Sequence, residues 1–155
     1  MKPDRRLTAK KLLPAIARFT DLTGQKILDL DKKWNLDHGT PVFTQKGRYT
    51  TRGWTEWTQG FQYGCAILQY DMTDDERFLT LGRDRTVELM APHVSHIGVH
   101  DHGFNNLSTY GNLRRLMLEG RIPHDARELD FYELAIKLSG AIQAVADAAG
   151  PVEPG

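Results

Sequence analysis

The stretch His93–Asn106 reads H-V-S-H-I-G-V-H-D-H-G-F-N-N, and the rest of the chain is best understood outward from it. It holds four of the six histidines, one carboxylate, two glycines and an aromatic in fourteen positions. Neither the helical nor the strand period persists through it. A polar, glycine-punctuated connection between regular segments is where a scaffold tends to present chemistry. The flanks then read as helices that hold this segment in place.

Downstream, Leu107, Tyr110, Leu113 and Met117 continue a helical period as far as Gly120. Asp125 and Glu128 predict a box-like cap for a last helix, in which Phe131, Ala135, Leu138, Ile142, Val145 and Ala149 form the apolar stripe and Gly150–Pro151 the stop. Apolar residues off that stripe predict an inner helix packed on both sides. Upstream, Thr73 with Glu76 predicts a capping box for a helix carrying Phe78, Leu81 and Leu89 and closed by Pro92. Before it, a helix from near Thr55 is expected to bury Trp57, Phe61, Gly64 or Cys65, and Leu68. Its interior glycines Gly60 and Gly64 each cost about 1 kcal/mol of helix propensity, and they fit a site where another helix or a ligand approaches the backbone closely.

Leu12, Ile16, Phe19, Ile27, Leu30 and Trp34 share one face of a long first helix, or of two helices broken near Gly24, with Pro14 in a first turn. Asn35–Gly53 predicts an irregular crossing with a short extended piece around Pro41–Phe43. No alternation is long enough to support a sheet. The expected class is all-α, about five helices, and the long connections suggest layered antiparallel helix pairs in place of a simple bundle.

At 155 residues the chain is expected to form one domain, 1–155. Twenty Lys and Arg balance twenty Asp and Glu, which removes any broad electrostatic drive toward nucleic acid or an anionic membrane. The lone Cys65 has apolar neighbours and is expected to pack inside. No secretory signal or membrane-length apolar run is present in the sequence, so a cytoplasmic location is expected.

Within the central stretch, His93, His96, His100, His102 and Asp101 are all conceivable metal ligands. Their spacing is no recognised zinc pattern, and neither a metal nor any other cofactor is expected. Asp101, between two histidines and ahead of Gly103 and Phe104, has three readings: an acid–base carboxylate, a cap through Asn105 or Leu107 N–H, or ordinary surface. Trp54, Trp57, Phe61 and Tyr63 alternate with Glu56, Gln59 and Gln62. That mixture suits a sugar, whose C–H faces stack on rings while its hydroxyls need directional partners. Trp57 and Phe61 also fit a core at helical spacing. Glu56, Asp125 and Asp130 are candidates for a second acid, although the last two look like helix-start residues. There is no nucleophile elbow, no phosphate-binding glycine loop and no arginine clustering suited to nucleic acid.

Three segments carry a resemblance: G-W-T-E-W-T-Q-G-F from Gly53 to Phe61, Y-D-M-T-D-D-E-R-F-L from Tyr70 to Leu79, and H-D-H-G-F from His100 to Phe104. Their order and spacing resemble the N-terminal part of the unsaturated glucuronyl hydrolases (glycoside hydrolase family 88), with His102 where that family usually has leucine. The resemblance, over Leu12 to Gly150, implies part of an (α/α)6 barrel of twelve helices. It implies a substrate released by polysaccharide lyases, with a 4,5-unsaturated uronic acid at the non-reducing end. It also implies hydration of the C4=C5 vinyl ether, after which the hydrated sugar rearranges and releases the remainder. On this resemblance Asp101 is one of two catalytic aspartates, Trp54 and Trp57 match the aromatic segment lining the cleft, and His100 and His102 flank the acid as substrate-binding residues. The second aspartate would fall about 60 residues further on, past Gly155. The chain alone is therefore expected to be inactive and to self-associate through exposed helix faces. A non-catalytic carbohydrate-binding or structural helical module is the alternative.

Overall fold

The computed structural model describes residues 8–53, 57–97 and 101–149. Those residues form an all-α fold of six α-helices with one small hairpin. In chain order the elements are α1 (Ala9–Lys33), β1 (Pro41–Gln45), β2 (Arg48–Thr51), α2 (Thr58–Thr73), α3 (Glu76–Leu89), α4 (Ala91–Ser95), a π-helix (Gly103–Gly111), α5 (Asn112–Leu118) and α6 (Ala126–Ala149). No helix among the described residues is long and apolar enough to cross a membrane.

Helix α1 is one unbroken helix. Thr8 caps it by accepting the Lys11 N–H, and Lys32 and Lys33 sit in the last turn, where positive charge suits the helix dipole. Pro14 lies inside α1 and not, as its chemistry suggests, in the first turn. Ile27 and Leu28, toward the C-terminal end, pack on the core, whereas Leu12, Ile16 and Phe19 are exposed. The chain leaves α1 through Trp34, whose indole Nε1–H donates to Gly39 O at 2.7 Å.

The expected irregular crossing contains a paired hairpin. Lys46 (φ 50°) and Gly47 (φ 75°) both take the left-handed conformation between β1 and β2, which suits a two-residue turn whose twist matches the strands. Most of its side chains are exposed, so no inside–outside alternation marks it in the sequence.

Helix α2 is the inner helix of the fold and touches α1, α3, α5 and the π-helix. Its buried side is Gly60, Tyr63, Gly64, Ala66, Ile67, Gln69 and Tyr70. Trp57, Phe61, Cys65 and Leu68, expected inside, are exposed instead. Close approach explains the rotation. A Cβ on Gly60 would lie 2.3 Å from Asn105 Cα and Phe104 O, and one on Gly64 would lie 2.6 Å from Ser108 O. Only the glycine edge of α2 lets the π-helix backbone come this near.

The α2–α3 junction is capped by Asp75, which accepts the Arg77 N–H, and not by Thr73, whose hydroxyl donates back to Gln69 O at 2.7 Å. Pro92 starts α4 and does not end α3. Asp125 does cap α6, accepting the Arg127 and Glu128 N–H groups at 2.8 and 2.9 Å. Helix α6, however, packs through Tyr132, Ala135 and Ser139, leaving Phe131, Leu138 and Val145 exposed; it is one-sided and not inner. The core joins Tyr63, Ile67, Tyr70, Phe78, Leu79, Met90, Leu113, Leu116 and Tyr132, each such large side chain contributing roughly 1.5–3 kcal/mol by burial.

Candidate functional site: an aromatic face on a buried polar frame

Two segments far apart in sequence meet where α2 begins and the π-helix begins. Phe104 lies 5.7 Å from Trp57 and 5.4 Å from Phe61, centroid to centroid, and Trp57 and Phe61 are 5.4 Å apart edge to face. These contacts are of the kind that add about 0.5–1.5 kcal/mol per pair beyond area. The rings nevertheless remain 39, 40 and 50% exposed for Trp57, Phe61 and Phe104. They form an open aromatic surface, not a closed core.

Asp101 stands three residues before Phe104 and is half-buried. Its main-chain carbonyl accepts the Asn105 N–H at 3.3 Å, which joins it to the first turn of the π-helix. His102 occupies the N-cap position and makes no side-chain cap bond. Trp54, Glu56 and His100 lie outside the described residues.

Beneath the rings is a frame of buried polar side chains. The Gly60 N–H donates to Asn105 Oδ1 at 2.9 Å, so Asn105 Nδ2 is turned toward His93 Nδ1, 3.2 Å away. His93 must then accept at Nδ1 and carry its proton on Nε2, where Gln59 Oε1 accepts it at 2.5 Å. His93 is only 2% exposed, and burial, with His96 and His102 nearby, pushes its imidazole down to about 4. It is neutral at physiological pH.

A second branch ties the same segment to α6. Asn106 Nδ2 donates to His93 O at 3.1 Å and to Ser139 Oγ at 2.9 Å. The Ser139 hydroxyl can then donate to His102 Nδ1 at 2.9 Å, while His102 Nε2–H donates to His96 O at 2.6 Å. His102, expected among the substrate-binding residues, is thus buried against Ser139 and the chain itself. Asn106 Oδ1 is buried with no hydrogen-bond partner among the described residues. No three His, Cys, Asp or Glu side chains among the described residues come together as a metal-binding group.

The other acids considered from sequence are placed elsewhere. Asp125 caps α6 and Asp130 is exposed on it. The Tyr70–Leu79 segment sits at the far end of α2, where Asp71 pairs with Arg115 at 2.7 Å and Arg121 at 3.0 Å. A groove of about 550 Å³ runs between α1 and α3, and within it Arg85 reaches Asp31 at 3.2 Å and Glu88 at 2.9 Å.

Gln59, His93, Asn105, Asn106 and Ser139 were not marked as a unit by the sequence. The one available signal was Asn105–Asn106 inside an otherwise helical period: asparagine is a poor helix former, so a pair of them there implies side-chain partners. No family model matches this chain, and neither a curated protein nor a solved structure does.

Proposed function

We propose that the Trp57–Phe61–Phe104 face, with Asp101 beside it in the chain, is a sugar-binding surface for unsaturated uronyl oligosaccharides, in the N-terminal helices of an (α/α)6 glycoside hydrolase. The observation that carries this reading is the meeting of Trp57 and Phe104 at 5.7 Å. Two of the three segments that resemble the unsaturated glucuronyl hydrolases become neighbours, with 38 residues of chain between them. Exposed rings at that junction suit a pyranose face, which stacks through C–H bonds.

In this reading Asp101 faces the charge that develops in the vinyl ether. A proton delivered to C4 leaves oxocarbenium character at C5, a carboxylate stabilises it, and water adds at C5. The hydrated sugar is then a hemiketal that opens and releases the remaining chain. A second acid is required for proton delivery. Two acids of α6 are engaged elsewhere, Glu133 pairing with Arg114 at 2.9 Å and Glu128 accepting the Tyr132 hydroxyl. The 155-residue chain alone is therefore expected to bind without turnover.

The test pairs calorimetric binding of an unsaturated uronyl disaccharide with the ultraviolet signal of its conjugated double bond. Saturable binding that favours the unsaturated over the saturated sugar, with the signal retained, supports the proposal. Absence of binding, or turnover undiminished in Asp101→Asn, contradicts it.

A further inference from the structure

The geometry points to His93 as the positioning residue of the aromatic face, able to hold α2 and the π-helix in register only while its Nδ1 is unprotonated. The inference concerns the frame and not the ligand; its bearing on catalysis rests on the carbohydrate reading, but its structural test does not.

Donors and acceptors meet here at a point with no slack. The backbones of Gly60 and Asn105 are so close that even a methyl group would collide between them. Asn105 bridges that contact, accepting from Gly60 N–H with Oδ1 and donating to His93 with Nδ2. Its main-chain carbonyl is also occupied, by the Thr109 hydroxyl at 2.7 Å. A proton on His93 Nδ1 sets donor against donor. Turning the Asn105 amide to offer Oδ1 to the imidazolium brings Nδ2 against the Gly60 N–H instead. Either way a buried donor loses its acceptor. Asn105 follows Phe104, and Gly60 lies between Trp57 and Phe61, so the strain falls where the three rings meet.

Among the described residues, the charged surroundings do not favour an imidazolium. His96, at the end of α4, and His102, ahead of the π-helix, oppose a positive charge on His93, whose ring lies well below its ordinary range. From α2 the facing group is the neutral Gln59, from the π-helix the neutral Asn105 and Asn106, and from α6 the Ser139 hydroxyl through Asn106. On α3, Arg83 and Arg85 are engaged with Glu128 and with Asp31 and Glu88.

Heteronuclear NMR of the full chain tests this without any ligand. The imidazole nitrogens of His93 should report the Nε2–H tautomer at neutral pH, and the Gly60 amide proton should sit downfield as a bonded donor. On acidification the Gly60 amide and the Phe104 ring resonances should shift with the His93 midpoint. His93→Gln can supply an acceptor and a donor without titrating, and should keep the Gly60 signal constant over that range. An Nδ1–H tautomer, an ordinary His93 midpoint, or a Gly60 amide that ignores the His93 titration overturns the inference. If the sugar fails to bind but Gly60 tracks His93, the positioning role stands and only the carbohydrate reading falls.

Discussion

The side-chain carbonyl of Asn105 accepts the main-chain N–H of Gly60 at 2.9 Å across 45 residues of sequence. In the first turn of α2, Gly60 N–H has no acceptor within its own helix, so this bond satisfies one of the four orphan donors there. The same contact sets the spacing of the ring cluster and of the segment that carries Asp101.

Gly60→Ala should therefore be among the most damaging single-methyl changes in the chain. The new Cβ would meet backbone atoms at 2.3 Å, which cannot rotate away, and overpacking of this kind costs about 1–3 kcal/mol or more. Gly140→Ala, on α6 with nothing within 4 Å, should instead gain up to about 1 kcal/mol from helix propensity. Urea unfolding of the two variants checks both signs, and a Gly60→Ala midpoint equal to wild type would contradict the close approach.

Acid should weaken the fold through His93. Above pH 6.5 the imidazole is neutral in folded and unfolded chains alike. Between about 6.5 and about 4 the unfolded chain binds a proton that the folded chain excludes. Stability therefore falls with pH across that window, by roughly 3 kcal/mol from this one group. His93→Gln should flatten the slope between pH 6.5 and 5, measured by denaturant midpoints; an unchanged slope there would show that His93 is not the group responsible.

At the opposite end of α2, Asp71 holds Arg115 and Arg121 with its two carboxylate oxygens, and all three side chains are partly shielded. Asp71→Asn should cost about 1 kcal/mol, more at low salt than at high salt, and leave sugar binding untouched. A loss of binding in this variant would place the Tyr70–Leu79 segment in the site, contrary to the geometry.

The sequence made the helices legible but not which way they face. In α2, hydropathy ranks Phe61 and Leu68 as core, yet glycine's lack of a side chain wins because it permits a backbone approach that releases no hydropathy signal. In α6 the Phe131–Leu138–Val145 stripe is regular, but the buried side includes Tyr132 and Ser139, and the Ser139 hydroxyl meets partners brought from the π-helix and its N-cap, Asn106 and His102. The helical period through Leu107, Tyr110 and Leu113 likewise concealed the wider π turn, which leaves Leu107 exposed while burying the other two. At the site, Asp101 and Trp57 were visible as chemistry-bearing types. Their frame of Gln59, His93, Asn105 and Asn106 was not, since hydrogen bonds over tens of residues leave no spacing rule.

The most direct measurement is isothermal titration of the chain with a lyase-generated unsaturated uronyl disaccharide, repeated with Trp57→Ala and Phe104→Ala. Both rings lie outside the buried core, so each variant should stay folded. The aromatic-face account predicts saturable binding in the wild type, weakened at least about tenfold in each variant, since one stacked ring contributes about 1–3 kcal/mol in comparable stacking contacts. No binding at millimolar sugar, or binding that neither substitution alters, would contradict it.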